Sequence, residues 1–278
     1  MVNFLHLLLK EYEFENEFWR IPAFGLWHFF YIALVFGIII GTAFVLKNKT
    51  DEQKKKVLNF LPIAVLVVYV GDLFLRPIAF LEGDFANTIG SYIDKLPFHI
   101  CTLLAPVSVF AQFNKKLAKF KEPIVIMAVV GPLMYLTYPG TAVGDEFPFC
   151  YEVIQTMLYH GLLLAWGVLC ITTKETKITI KNWYKSLIAV LCISLWALLG
   201  NVMFSDMSSV SAWTATGFDW FFQKGNLLSS GHSSIGLAIG MPFLVAFAVF
   251  AMAMIIYGIY YLVRAICKKT CKSKQKGA

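Results

Sequence analysis

The chain has 278 residues, of which 58% are hydrophobic and 15% charged; its mean hydropathy is +0.67 and its net charge +7. A soluble domain carries about 25% charged residues, so this composition excludes an ordinary soluble enzyme or binding module and indicates a polytopic membrane protein. The positive charge lies in short segments between apolar runs, which ties it to membrane topology and anionic lipid and not to nucleic acid.

In chain order, residues 1–23 hold a short apolar run, Phe4 to Leu9, and then Glu11, Glu13, Glu15 and Glu17. The run is too short for a cleavable signal peptide, and the acidic patch places this segment outside. Apolar stretches follow at roughly 24–46, 57–80, 96–113, 123–140, 151–172, 184–204 and 242–264, each approaching the ~20 residues that cross a bilayer as a helix. The expected fold is all-α: a bundle of about seven transmembrane helices forming one integral membrane domain over 1–278. The segments after spans one, three and five and the tail 265–278 hold nearly all the lysines, 19 of the 24 basic residues once Arg264 is included. The positive-inside rule then puts the N-terminus outside and the C-terminus in the cytoplasm.

Trp27 in span one marks the outer interface, as does Trp19 just before it. The same span holds His28. Asp72 and Arg76 follow toward the outer end of span two, four residues apart and so able to pair on one helix face. That pairing fixes span two against its neighbours, or else it frees Arg76 to hold a substrate phosphate or carboxylate with its guanidinium fork. Span three opens with Leu96-Pro97-Phe98-His99-Ile100-Cys101. Pro97 suits a first helical turn, which puts Cys101 about five residues in, with His99 about 200° away around the helix. His99 is then a poor base for Cys101, and a partner must come from another span.

Gly131 and Pro132 predict a kink in span four. Tyr159 and His160 lie in the outer half of span five, and Asn201 near the outer end of span six. A longer outer segment, about 205–241, carries Trp213, Phe218, Trp220, Phe221, Phe222 and His232. It reads as an interfacial anchor or a cover for a cavity. The polar residues of the spans thus gather in the outer half of the bilayer, with no comparable set in the inner half. Ionisable groups in a membrane are functional candidates by default, so an outer-half cavity is expected.

These elements resemble those of YwaF-type bacterial integral membrane proteins. Leu96 to Cys101 is similar to their LPxHxC element, Phe24-Gly25-Leu26-Trp27-His28 to their first-span Phe/His element, and Tyr159-His160 to their span-five histidine. Asn201-Val202-Met203-Phe204 resembles their Asn-Tyr-Met-Phe element, with Val202 in place of Tyr. Gly240-Met241-Pro242-Phe243 keeps only Gly and Pro of a Gly-Pro-Trp-Pro stretch. The resemblance extends to a eukaryotic transmembrane acyltransferase that remodels ether phospholipids through a cysteine and a histidine. More distantly it reaches lipid hydrolases of the androgen-induced-gene type, which use a threonine and a histidine.

The resemblance implies Cys101 as nucleophile and His160 as general base, acting on a phospholipid or other acyl lipid in a bacterial plasma membrane without a cofactor. His99, His28 and Asn201 take supporting roles, and Arg76, Asp72 and Tyr159 bind substrate. Other readings of the same residues are an outward-facing transporter or solute-binding protein, a zinc site drawing on His28, His99, Cys101 and His160, and a purely structural set of hydrogen-bonded histidines. A Cys101–Cys150 disulfide would remove the nucleophile.

Overall fold

The computed structural model describes residues 21–22, 24–79, 92–93, 95–137, 147–209, 212, 219–223 and 235–276. All regular structure among them is helical. The long α-helices among the described residues are α1 Leu26–Lys47, α2 Asp51–Ala79, α3 Ile100–Phe113, α4 Lys121–Thr137, α5 Tyr151–Thr172, α6 Trp183–Met203 and α7 Ile235–Lys276. Six contain segments long and apolar enough to cross a membrane, and α3 is a shorter apolar helix of 14 residues. At 1.5 Å per residue α3 spans about 21 Å, less than the ~30 Å hydrocarbon core.

The chain divides into two compact units, Met1–Glu175 and Thr176–Ala278. In the first unit α5 is the central helix, packing against α1, α2 and α4, while α3 packs between α2 and α4. The most apolar windows of α4 and α5 are both 67% buried, against 17% in α1. The core of this unit is therefore the α4–α5 pair, and α1 is mostly exposed among the described residues.

Close approach within that pair depends on Gly167, where an added Cβ would lie 2.8 Å from Val129 Cγ2 and 3.2 Å from the Val125 oxygen. The start of α2 is fixed by a reciprocal capping box: the Gln53 amide N–H donates to Thr50 Oγ1, and the Thr50 N–H to Gln53 Oε1. Asp51 and Glu52 in the first turn complement the helix dipole.

The expected start of span three moves. Leu96 to Phe98 form turns, His99 is the N-cap in extended conformation (φ −76°, ψ 151°), and the helix begins at Ile100. Pro97 precedes the helix instead of occupying its first turn, and Cys101 is the second helical residue. Likewise α7 begins at Ile235, so Gly240 to Phe243 lie inside a helix and not in the segment before it.

A second difference concerns the end of the bundle opposite Cys101. Gln112 near the C-terminus of α3 donates to Asn59 Oδ1 of α2 across 2.7 Å and accepts from Trp166 Nε1 of α5 across 3.3 Å. This three-helix set of neutral polar side chains was not anticipated from the sequence. Amides so far apart in sequence carry no periodic signal that they will meet.

In the second unit α6 packs on α7, and the short turn Trp220–Phe222 packs against both. Ser186 and Tyr257 share a buried hydroxyl pair at 3.1 Å.

Candidate functional site

Cys101 sits in the first turn of α3, 8% exposed, against Gly131 of α4. A Cβ added to Gly131 would lie 3.3 Å from its Sγ, so the thiol rests on the bare backbone of α4. The structure joins Cys101 and Cys150 by no disulfide. Tyr159 of α5 donates its hydroxyl to the Cys101 carbonyl across 2.6 Å. The Tyr159 ring stands edge-on to His160, with centroids 5.2 Å apart at 86°. Tyr159 thus touches both residues singled out from the sequence.

His160 is oriented from three directions. Tyr159 meets its edge, and Tyr135 of α4 stacks on its face at 3.7 Å and 5°. Its Nδ1 lies 2.8 Å from the Thr156 carbonyl one turn back. A carbonyl only accepts, so Nδ1 carries the proton and donates. In the neutral ring Nε2 then holds a lone pair, and it makes no hydrogen bond among the described residues. In this tautomer Nε2 is the ring atom that can accept a proton. Tyr135 carried no signal in the sequence beyond its place in an apolar span; only the stacking identifies it.

His28 is held differently. Its Nδ1 accepts from the Phe24 N–H across 2.9 Å, so Nε2 carries the proton and donates to the Leu136 carbonyl across 2.8 Å. Both ring nitrogens are occupied and the side chain is fully buried. His28 braces the entry to α1 against the end of α4, and it holds Phe24 in a left-handed backbone conformation (φ 64°). Such a conformation costs a bulky residue on the order of 1–3 kcal/mol.

Asp72 is buried and accepts from the Tyr151 hydroxyl across 3.1 Å. Tyr69, one turn before Asp72 on α2, donates to the Lys95 carbonyl across 2.6 Å and lies beside Tyr159 with ring centroids 6.3 Å apart. Cys101, Tyr159, His160, Tyr135, Tyr69 and the Lys95 carbonyl are therefore connected within the first unit. The side chains of Arg76 and Phe222, and all of Trp19, Trp213, Phe218 and His232, lie outside the described residues.

Asn201 belongs to the second unit and is committed there. Its Oδ1 accepts from the Trp220 N–H and its Nδ2 donates to the Trp220 carbonyl, both across 2.9 Å. Nδ2 also reaches Gln223 Oε1, whose amide donates in turn to the carbonyl and hydroxyl of Ser194. This buried network pins the turn around Phe221, another left-handed residue (φ 63°). Asn201 works there as a strap on backbone.

Among the described residues no group of three or more His, Cys, Asp and Glu side chains is arranged to hold a metal ion. Residues 23–263 match the TMEM164 family. No curated protein and no solved structure matches the chain.

Proposed function

Because the chain belongs to the TMEM164 family, we propose that this membrane protein is a lipid acyltransferase or acyl hydrolase working through Cys101 and His160. The observation that carries this reading is the tautomer of His160: with Nδ1 donating to Thr156, the lone pair is left on Nε2, in the same packed cluster as the Cys101 thiol. His160 takes the thiol proton as Sγ bonds to the ester carbonyl carbon of a phospholipid or other acyl lipid. The tetrahedral adduct collapses, the ester C–O bond breaks, and the departing lysolipid oxygen takes the proton from His160. The acyl group is then a thioester on Cys101.

In the second half, an acceptor hydroxyl gives its proton to His160 and attacks the thioester. Cys101 leaves as thiolate and recovers the proton. A lysolipid acceptor makes the reaction transfer; water makes it hydrolysis. The partly negative face of Tyr135 stabilises the imidazolium formed in each half, and Tyr159 fixes the Cys101 peptide while the thiol reacts.

The test is to incubate the purified full-length protein with acyl-labelled phospholipid and look for a hydroxylamine-labile acyl group on Cys101. Label should appear in wild type and be absent from Cys101→Ala and His160→Gln. Continued lipid turnover by Cys101→Ala would sink the reading.

A further inference from the structure

The buried residues of α1 are His28, Tyr31, Val35, Ile39 and Leu46, spaced as one face of a helix. On that face Val35 meets α5 at Gly161, where an added Cβ would lie 3.1 Å from Val35 Cγ2. Gly161 directly follows His160. The buried face of α1 is thus registered against the turn of α5 that carries the imidazole, and His28 stands two turns earlier on the same face.

The last turn of α4 is weakly tied to its own helix. Pro132 removes one bond of the helical ladder just before it, and the last four carbonyls of a helix have no intrahelical donor. Side chains supply donors instead. Thr137 Oγ1 bonds to the Leu133 and Met134 carbonyls across 2.7 and 3.2 Å, which is local to the turn. His28 Nε2 bonds to the Leu136 carbonyl across 2.8 Å and ties the turn to a different helix. The residue before Leu136 is Tyr135, whose ring lies parallel to His160 at 3.7 Å and 5°. A shift of the Leu136 carbonyl carries the Tyr135 ring with it, and a parallel stack at this distance tolerates little displacement of either ring.

We propose that His28 is a positioning residue: by holding the Leu136 carbonyl it keeps the Tyr135 ring on the face of His160. Its effect on acyl transfer rests on the reaction proposed above; the placement of Tyr135 does not.

Two amides divide the ring of His28 between them. The end of a glutamine reaches the place of Nε2 and can donate to the Leu136 carbonyl. The end of an asparagine reaches only the place of Nδ1, where its oxygen can accept from the Phe24 N–H. The readout is NMR of the full-length protein with ring-labelled histidine, in micelles, the His160 signal being assigned by its loss in His160→Gln. In wild type the Tyr135 ring current should shift the His160 ring protons upfield, and Tyr135→Leu, which has no ring, sets the unshifted position. His28→Asn is expected to lose most of the shift and His28→Gln to keep most of it. The wild-type shift in both variants overturns the proposal, since Tyr135 then keeps its place without His28. Equal loss in both also overturns it, since the cause is then general loosening of the packing. Should His28→Asn not fold, the same pair is read on Phe24→Gly, where glycine adopts the left-handed φ of 64° without strain.

Acyl-thioester formation at Cys101 from a diacyl phospholipid completes the test. His28→Asn should lower kcat about tenfold with KM unchanged, and His28→Gln should stay near wild type. Loss of the ring-current shift in His28→Asn, in a protein whose wild type forms no thioester, leaves the placement standing and removes the acyl-transfer reading. Loss of the shift with thioester formed at the wild-type rate keeps the acyl-transfer reading and overturns the positioning role.

Discussion

The hydroxyl of Tyr159 donates to the backbone carbonyl of Cys101 across 2.6 Å, joining the residue before His160 to the first turn of α3. The bond crosses between two helices that are 58 residues apart in sequence at this point. It can form only in one register of α5 against α3, so it fixes where the thiol stands relative to the imidazole.

Removing that hydroxyl tests the role. Tyr159→Phe keeps the ring against His160 and loses the bond to Cys101. The rate of acyl-thioester formation is expected to fall about tenfold with KM for the lipid nearly unchanged. Alkylation of Cys101 by a small thiol reagent should change as well, because the bond sets the position of its peptide. A variant with wild-type kcat and a raised KM would instead assign Tyr159 to substrate binding.

The two buried helix histidines should separate in their effects. His28→Leu leaves the Phe24 N–H and the Leu136 carbonyl without their partner, which costs about 2 kcal/mol or more, so the melting temperature in micelles should drop by several degrees. His160→Gln should leave the melting temperature within a degree or two and abolish thioester formation. Equal thermal losses in both variants would show that His160 is a structural brace like His28.

Two glycines at different helix contacts give a steric test. In Gly131→Ala the new methyl lies 3.3 Å from Cys101 Sγ and from Ile100 Cγ2; it should slow alkylation of Cys101 several-fold with a stability loss of about 1 kcal/mol. In Gly167→Ala the methyl meets Val129 Cγ2 at 2.8 Å and backbone beyond it. It should destabilise by about 1–3 kcal/mol, partly relieved by Val129→Ala. If the double variant is no more stable than Gly167→Ala alone, the side-chain clash is not the cause.

Asn201→Leu removes the only side chain that satisfies both backbone groups of Trp220 among the described residues. The expected loss is about 2 kcal/mol or more, because the N–H, the carbonyl and Gln223 all lose a partner in a buried setting. Trypsin digestion under native conditions should cut more readily at Lys224, beside the released turn. Unchanged stability and cleavage would place the strap elsewhere.

Parts of this architecture were legible from residue order. Apolar run length marked seven stretches, of which six hold helices long enough to cross a membrane and the third holds the shorter α3; charge separated the basic segments from the rest. Leu96-Pro97 signalled an approaching helix start, but the start lies at Ile100, since the proline completes a turn held by the Tyr69 and Thr102 hydroxyls. The Asn59–Gln112–Trp166 set was not legible. Each of the three is an unremarkable member of its own segment, and only packing brings them within hydrogen-bond distance.

The histidines mark the same boundary. Sequence alone put His28 and His160 in membrane-spanning helices and Cys101 at the start of another, because hydrophobic run length and charge order govern which segments enter a bilayer. Depth and the resemblance favoured His160 over His28 as the partner of Cys101, but neither showed which hydrogen bonds each ring makes. Their partners are backbone carbonyls and N–H groups, which every residue carries, so no residue type announces them. Tertiary packing decided the matter: the register of α4 brings the Leu136 carbonyl to His28 and occupies its second nitrogen, while His160 spends one nitrogen on its own helix and keeps a lone pair on the other.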